Sequence, residues 1–351
     1  MTGPLTPYDD SIRLRLEAIE AETLAPYASR SATSAGRERD EPESPVRTCY
    51  QRDRDRIIHA NAFRRLRGKT QVFIAPTGDH YSTRLSHVLE VAQVSRVIAR
   101  ALGLNEDLSE AIALAHDLGH APFGHAGQEA LNAVLGDGYR HDEQSLRVVR
   151  YLEKSGRGLN LTAEVLDGIR THRKPRESLA GYAVAPSSTL EAETVRLSDA
   201  IAYINHDVDD AVRARLIDPF DLPSSAIGHL GTSRSERINT VVIDIIGTSQ
   251  GQPRVAMSDE TLTQLDLLRE FLFLHVYRNR VVTTEGERAQ RLITALFEYV
   301  CAHAEHLPEE IQADVRGEGT ERLVADYIAG MTDSFAIDLF QRFFVPRMWP
   351  L

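Results

Sequence analysis

Cysteine is scarce in this chain of 351 residues: only Cys49 and Cys301 occur. Two such residues make no disulfide framework, and they exclude a zinc site built on thiolates. An excess of positive charge is also missing, since 40 Lys and Arg stand against 51 Asp and Glu for a net charge of −11. That balance disfavours DNA and anionic membranes as partners, although a local basic patch can still bind phosphate. Long apolar runs are absent. The longest, such as Phe271-Leu272-Phe273-Leu274, fall far short of the ~20 residues of a membrane span. The first residues, Met-Thr-Gly-Pro-Leu-Thr-Pro, lack the charged-then-apolar pattern of a signal peptide, so a cytoplasmic location is expected. What is present suits a folded enzyme: 42% hydrophobic and 26% charged residues exclude a fully disordered chain.

Residues 29–47 are polar and carry almost no large apolar side chain. They read as a surface loop within a flexible segment 1–46, or else as an arm that orders against a neighbouring subunit or nucleotide. Beyond them the periodicity is helical. Ile58, Ala62 and Leu66 recur at i, i+4 and i+8 in a segment 51–67, and apolar residues from Leu85 to Leu102 mark a helix stopped by Gly103. Ser109–Leu118 predicts a third helix, capped by Asp107 or Ser109 and followed by Gly119. Further helices are expected over 141–154, 161–172, 189–215, 260–280, 286–304 and 320–345. The β-branched run Thr240–Ile246 is left as a short strand or a helix. The fold class is mostly α, with no internal repeat.

His and Asp carry the chemistry. His87 lies in one predicted helix, the pair His116-Asp117 ends an apolar one, and Asp199 sits in Arg196-Leu197-Ser198-Asp199-Ala200. Imidazole and carboxylate suit a divalent ion of borderline hardness, and two of each leave positions for water and a phosphate oxygen. Neighbours on a helix point about 100° apart, so His116 and Asp117 converge only at a helix end, which Gly119 provides. An Asp buried unpaired among alanines and leucines would be costly, and a metal compensates it. Each histidine taken alone is more often a satisfied core residue. Asp199, Tyr203 and Asp207 recur at i, i+4 and i+8 and share one helix face. Between Arg47 and Lys69 eight basic residues stand against Asp53 and Asp55, a local reversal of sign. For most of these the expectation is a solvated face of Arg–Asp pairs.

The order His…His-Asp…Asp resembles the HD phosphohydrolase superfamily. The words Asp53-Arg54-Asp55-Arg56-Ile57-Ile58-His59, Phe63-Arg64-Arg65-Leu66, Lys69-Thr70-Gln71-Val72-Phe73, His116-Asp117-Leu118-Gly119-His120, Pro122-Phe123-Gly124-His125, Gln144-Ser145-Leu146-Arg147 and Ala202-Tyr203-Ile204-Asn205-His206-Asp207 narrow it. Together they resemble the deoxyguanosine triphosphate triphosphohydrolases, in their shorter dNTPase branch, over about residues 47–345.

The resemblance implies an HD-domain core at 47–217, with additional C-terminal helices at 218–351 packed on it as one domain. It implies cleavage of a dNTP into deoxynucleoside and inorganic triphosphate. One divalent ion would be held by His87, His116, Asp117 and Asp199: Mn²⁺ or Mg²⁺ first, with Fe²⁺, Co²⁺, Ni²⁺ or Zn²⁺ also fitting. His125 falls on the family's catalytic His and His141 on a second active-site His, while His120 is not separable from packing. Gln128 stands where the family has an acidic residue one turn after the catalytic His, so it can hydrogen-bond the ring but not charge it. Arg84 matches a phosphate-binding Arg, with Arg278 and Arg280 weaker candidates. Gln71 matches a residue near sugar and base, Tyr203 one packing on the deoxyribose, and Asp207 an acceptor of the 3′-OH. A homo-oligomer, up to a hexamer, is implied, with nucleotide or single-stranded DNA effectors. Two alternatives stay open: another HD phosphohydrolase, such as a nucleotidase or phosphodiesterase, and a dNTP-binding regulatory protein weakened by Gln128.

Overall fold

A computed structural model describes residues 11–74, 80–173, 187–312 and 316–346. Among them the chain is helical, and its only extended pairings are isolated bridges at Arg37/Thr162 and Thr70/Thr83. The Arg84–Leu102 helix shows why its bounds fall where they do. Thr83 and Ser86 close a capping box, and Gly103 at φ 67° ends it in the left-handed conformation. The next helix runs Glu106–Ala115, one turn earlier than expected, because Asn105 accepts from Leu108 N and caps it.

Elsewhere the predicted boundaries shift. Thr240–Ile246 is helical, inside Arg234–Ser249, where a Ser233/Glu236 capping box outweighs β-branched propensity. The single helix expected over 320–345 is two, Thr320–Ala329 and Asp333–Phe344, separated at Gly330 with Thr332 capping the second. The expected 141–154 helix gives His141–Arg147 and then a wide i→i+5 turn, Val148–Leu152. The 260–280 helix likewise runs Asp259–Leu272 before a second wide turn. Helix Ser11–Thr23 lacks a strong apolar stripe in the sequence.

Three apolar clusters hold these helices. The first packs Ile57, Val88, Ala111, Ile112, Val165 and Ile169. The second takes the other side of the Arg84–Leu102 helix (Val94, Ile98) and packs it on Leu197, Ile201, Ile204, Val241 and Leu268. The third joins Phe123 and Leu131 to Ile293, Leu296, Ile328 and Ala336. The turn 118–123 runs from the first cluster, at Leu118, into the third, at Ala121 and Phe123. Gly119 lies in that turn for want of room. A Cβ there would come within 2.1 Å of Ser145 N and 2.5 Å of His141 O.

Segment 29–47, expected as a loop, is instead bonded to the body. Ser29 N and Oγ donate to Glu191, Ser34 Oγ and Ala35 N to Glu164, and Arg37 pairs with the fully buried Asp53. Asp53 also accepts from Thr162 N (2.8 Å) and Thr162 Oγ1 (2.7 Å). The polar residues that made the segment look free are its hydrogen-bonding groups. The basic run, by contrast, is largely paired as expected: Arg47 with Asp55, Arg54 with Asp107 and Glu110, Arg56 with Glu41. Gly119→Ala should fold with a shifted His141–Arg147 helix and lose about 3 kcal/mol, as overpacking against unyielding backbone does. A urea midpoint equal to that of the parent would contradict this account of the glycine.

Candidate active site

The expected ligand residues come from three helices and converge. His87 leaves the first turn of Arg84–Leu102, His116 and Asp117 follow directly on Glu106–Ala115, and Asp199 projects from Leu190–Arg213. His87 Nε2 lies 3.2 Å from Asp199 Oδ1 and 3.8 Å from Asp117 Oδ2. His116 Nε2 lies 3.5 Å from Asp117 Oδ1 and 4.0 Å from Asp199 Oδ1. His87, His116 and Asp117 are each buried, and their ligand atoms lie within 4.8 Å of one another.

Hydrogen bonding fixes which nitrogen His116 offers. His116 Nδ1 is 2.7 Å from Ala113 O, a group that only accepts, so this nitrogen carries the proton. The lone pair is left on Nε2, which is buried and has no hydrogen-bond partner among the described residues. His87 Nδ1 meets His206 Nε2 at 3.1 Å, and His206 Nδ1 lies 2.8 Å from Asp207 Oδ1. When His87 Nδ1–H donates to His206, as a neutral His206 allows, its Nε2 also presents a lone pair. Burial pushes the His87 pKa down, which keeps that ring neutral at neutral pH. Two imidazole nitrogens, one of them (His116 Nε2) buried without a partner among the described residues, and two carboxylates fit a divalent cation.

Asp117 is the centre of a second convergence. Arg84 Nη1 donates to its Oδ2 at 2.7 Å, and His120 Nε2 lies 3.4 Å from its Oδ1. Burial alone would raise this carboxyl, but His116, His120 and Arg84 overcome it and hold the pKa well below the usual range. Asp117, His120 and His141 also have ligand atoms within 4.8 Å of one another. His141 stacks on His120 with ring centroids 4.1 Å apart, and its Nε2 faces His172 Nε2 at 3.3 Å. His172 Nδ1 is committed to Ile169 O, and the ring also lies edge-on to His116.

The remaining expected residues fare differently. Gln128 does not meet His125. Its Oε1 accepts from the His141 backbone N at 3.0 Å and from the His141 ring Nδ1 at 2.7 Å. The backbone donor identifies the atom as oxygen, so Gln128 holds His141 rather than the ring one turn before it. His125, second in the Gly124–Val134 helix, is open to solvent, while surrounding protein and the nearby Arg84 guanidinium push its pKa down. Arg84 is engaged with Asp117 through Nη1 but keeps a buried, unpartnered Nε, and Gln71 keeps a buried, unpartnered Oε1, among the described residues. Asp207 is turned inward: it accepts from the Tyr277 hydroxyl and lies against His206. Tyr203 is half-buried against the second cluster, and Arg278 and Arg280 are exposed.

His172 and Tyr277 escaped the sequence reading, and His206 and Lys69 stood in its family words without a role in the site. His206 lies seven residues after Asp199, two turns along the same face, and that spacing is its signal. His172 carries no such mark, and neither do Tyr277 and Lys69. Lys69 is fully enclosed and donates to His120 O and to Ala329 O at 2.7 Å, and burial brings its pKa down to about 7.

Two outcomes are expected. Asp117→Ala should purify without bound divalent metal, by elemental analysis, since it deletes a ligand common to both convergences. Gln128→Glu should place a carboxylate on His141 Nδ1–H and stabilise the imidazolium. The limb of the rate profile that reports His141 then moves to higher pH, and an unmoved profile would contradict the Gln128–His141 assignment.

Comparison with known proteins agrees with this geometry. The HD domain family matches residues 84–204, which carry all four converging residues, and the phosphohydrolase-associated domain family matches residues 255–342. A deoxyguanosinetriphosphate triphosphohydrolase-like protein of Caldanaerobacter subterraneus subsp. tengcongensis is 52% identical over 96% of this chain and 97% of its own. Proteins of the same description from Clostridium perfringens and Desulfatibacillum aliphaticivorans are 46% and 44% identical, each over 96% of this chain. The chain, a phosphohydrolase of mostly helical fold, therefore belongs to the deoxyguanosinetriphosphate triphosphohydrolase-like proteins of the HD superfamily.

Proposed function

We propose that the chain hydrolyses deoxynucleoside triphosphates to deoxynucleoside and inorganic triphosphate. The observation that carries this reading is the buried, unpartnered Nε2 of His116 converging with His87, Asp117 and Asp199 in a chain of this family. These four residues would hold one divalent ion, Mn²⁺ or Mg²⁺ first. When bound, the ion supplies Lewis acidity toward the phosphate and a water nucleophile at neutral pH.

The protein's own groups do the rest. Arg84 presents its unpartnered Nε beside Asp117, where a guanidinium can take a phosphate oxygen. His125 supplies a proton to the leaving 5′-oxygen from the minor protonated fraction that its lowered pKa leaves at neutral pH, and its solvent-open ring renews that fraction between turnovers. His141, held on one side by Gln128 and stacked on His120 on the other, is fixed in orientation before substrate arrives. Gln71 Oε1, a buried acceptor without a donor, fits a hydroxyl of the sugar. Tyr203 offers a ring face to the deoxyribose. Asp207 acts on the sugar 3′-OH only if Tyr277 yields, and otherwise serves through His206 to hold His87. The same reading includes a cytoplasmic location, assembly as a homo-oligomer up to a hexamer, and control by nucleotide or single-stranded DNA.

Incubation with each of the four dNTPs and Mn²⁺ or Mg²⁺, with ion-exchange separation of products, should give triphosphate and deoxynucleoside. His125→Ala should retain metal and lose turnover by a factor of about 10² to 10⁴, the usual worth of a general acid. Stepwise phosphate release would move the site to another phosphohydrolase chemistry. Binding of dNTPs without turnover would make the chain a regulatory protein.

A further inference from the structure

The part of the chain matched by the phosphohydrolase-associated family contributes none of the four converging residues. It nevertheless touches the turn that carries His125, by apolar packing and through one carboxylate. Asp333 is the first residue of the Asp333–Phe344 helix and is only 4% exposed. One carboxylate oxygen accepts from Phe123 N at 2.8 Å. The other accepts from Thr70 N at 3.1 Å and Thr70 Oγ1 at 2.7 Å. Thr70 precedes Gln71, and Phe123 lies two residues before His125.

The turn needs such a hold. Phe123 has φ 61° and Gly124 φ 58°, two successive left-handed residues of which the first is not glycine. That conformation persists only when its surroundings impose it. The imposition comes from one place. Phe123 is packed into the third cluster with Ile328, Met331 and Ala336, and Lys69 ties His120 O to Ala329 O. A Cβ on Gly68 would meet Thr332 Cγ2 at 2.8 Å, and one on Gly124 would meet Gln71 O at 2.9 Å. The break at 330–332 thus seats the N-terminus of the Asp333–Phe344 helix against both segments that face the site.

We propose that Asp333 is a positioning residue, which clamps the Thr70–Gln71 and Phe123–His125 backbones together and so sets where His125 stands relative to the His–Asp cluster. The proposal rests on the reading that His125 acts on the substrate. Through this clamp the associated part of the chain places the proton donor and leaves the metal to the HD helices. Both oxygens of Asp333 face N–H or O–H donors, so an asparagine of the same size sets an amide nitrogen against one of them.

Asp333→Asn should therefore keep its metal content and lose kcat about 10- to 100-fold, the cost of misplacing a reacting group by about an ångström. KM should change less. In a His125→Ala background the same substitution should cost no further rate, because it acts through that ring. Additive losses would overturn the proposal. A second arm is independent of turnover: with histidine labelled at Cε1, the NMR signal assigned to His125 by its loss in His125→Ala should shift in Asp333→Asn, while those of His87 and His116 stay. An unmoved His125 signal would also overturn the proposal. A parent protein that releases no triphosphate from any dNTP defeats the reading of the reaction and leaves this arm to decide on the clamp. Should Asp333→Asn not fold, Thr70→Val removes one of the three bonds at nearly constant volume. It should move the same signal and lower kcat about three-fold, again only when His125 is present; a parental signal would count against the clamp.

Discussion

Asp117 carries a formal negative charge at a position only 4% exposed. In such a place a carboxylate survives as an ion only if the protein supplies what water would have supplied. Much of the centre of this molecule is that supply. Arg84 is drawn in from the start of its helix and His116 and His120 from either side along the chain, while His87 reaches across from the facing helix. Each contributor is itself buried and polar, so each requires a further partner: Ala113 O for His116, His206 for His87, Lys69 for the carbonyl of His120. The network grows outward until it meets the Asp207–Tyr277 pair on one side and Asp333 on the other. Removing one member leaves a charge or a lone pair without compensation, which costs more than the bond itself.

How much of this was legible in the sequence depends on the distance over which each signal acts. The four converging residues were legible because two lie side by side and each is embedded in a recognisable helical word. The helix from Arg84 was legible because both its caps are local. The partner of Gln128 was not, since a spacing of three points to the ring one turn back. The actual partner, His141, is brought in by packing of a helix that starts 13 residues later. His172 gave no sign, and Lys69 none of its burial, because their surroundings are assembled from segments far apart in the chain. The break at Gly330 was hidden by an apolar pattern that continues through it on both sides.

The two families that match the chain meet along the 118–125 turn. Its first residues belong to the cluster around the Glu106–Ala115 helix, and its last are packed among the C-terminal helices. A peptide held at both ends by different cores has little freedom to adapt. This is the condition under which left-handed backbone at Phe123 is retained rather than relaxed. The same condition accounts for Gly119, where the approach of the Ser145 backbone leaves no volume for a side chain.

The early strap of residues 29–41 also bears on how the chain is made. Two of its partners are late: Glu191 lies 162 residues beyond Ser29, and Glu164 lies 130 residues beyond Ser34. During synthesis the strap can pair at once with Glu20, made before it, and soon after with Cys49, Asp53 and Arg56, but it leaves the ribosome long before Glu164 and Glu191. Asp53 and Arg37 can pair early, being only 16 residues apart, but Asp53 is not sealed until Thr162 arrives. Closure of the strap onto Glu164 and Glu191 therefore involves long loops, which favour its late completion. A chain stalled before residue 164 would hold the strap by its local bonds alone, with Ser29, Ser34 and Ala35 still without the two carboxylates that tie them to the body.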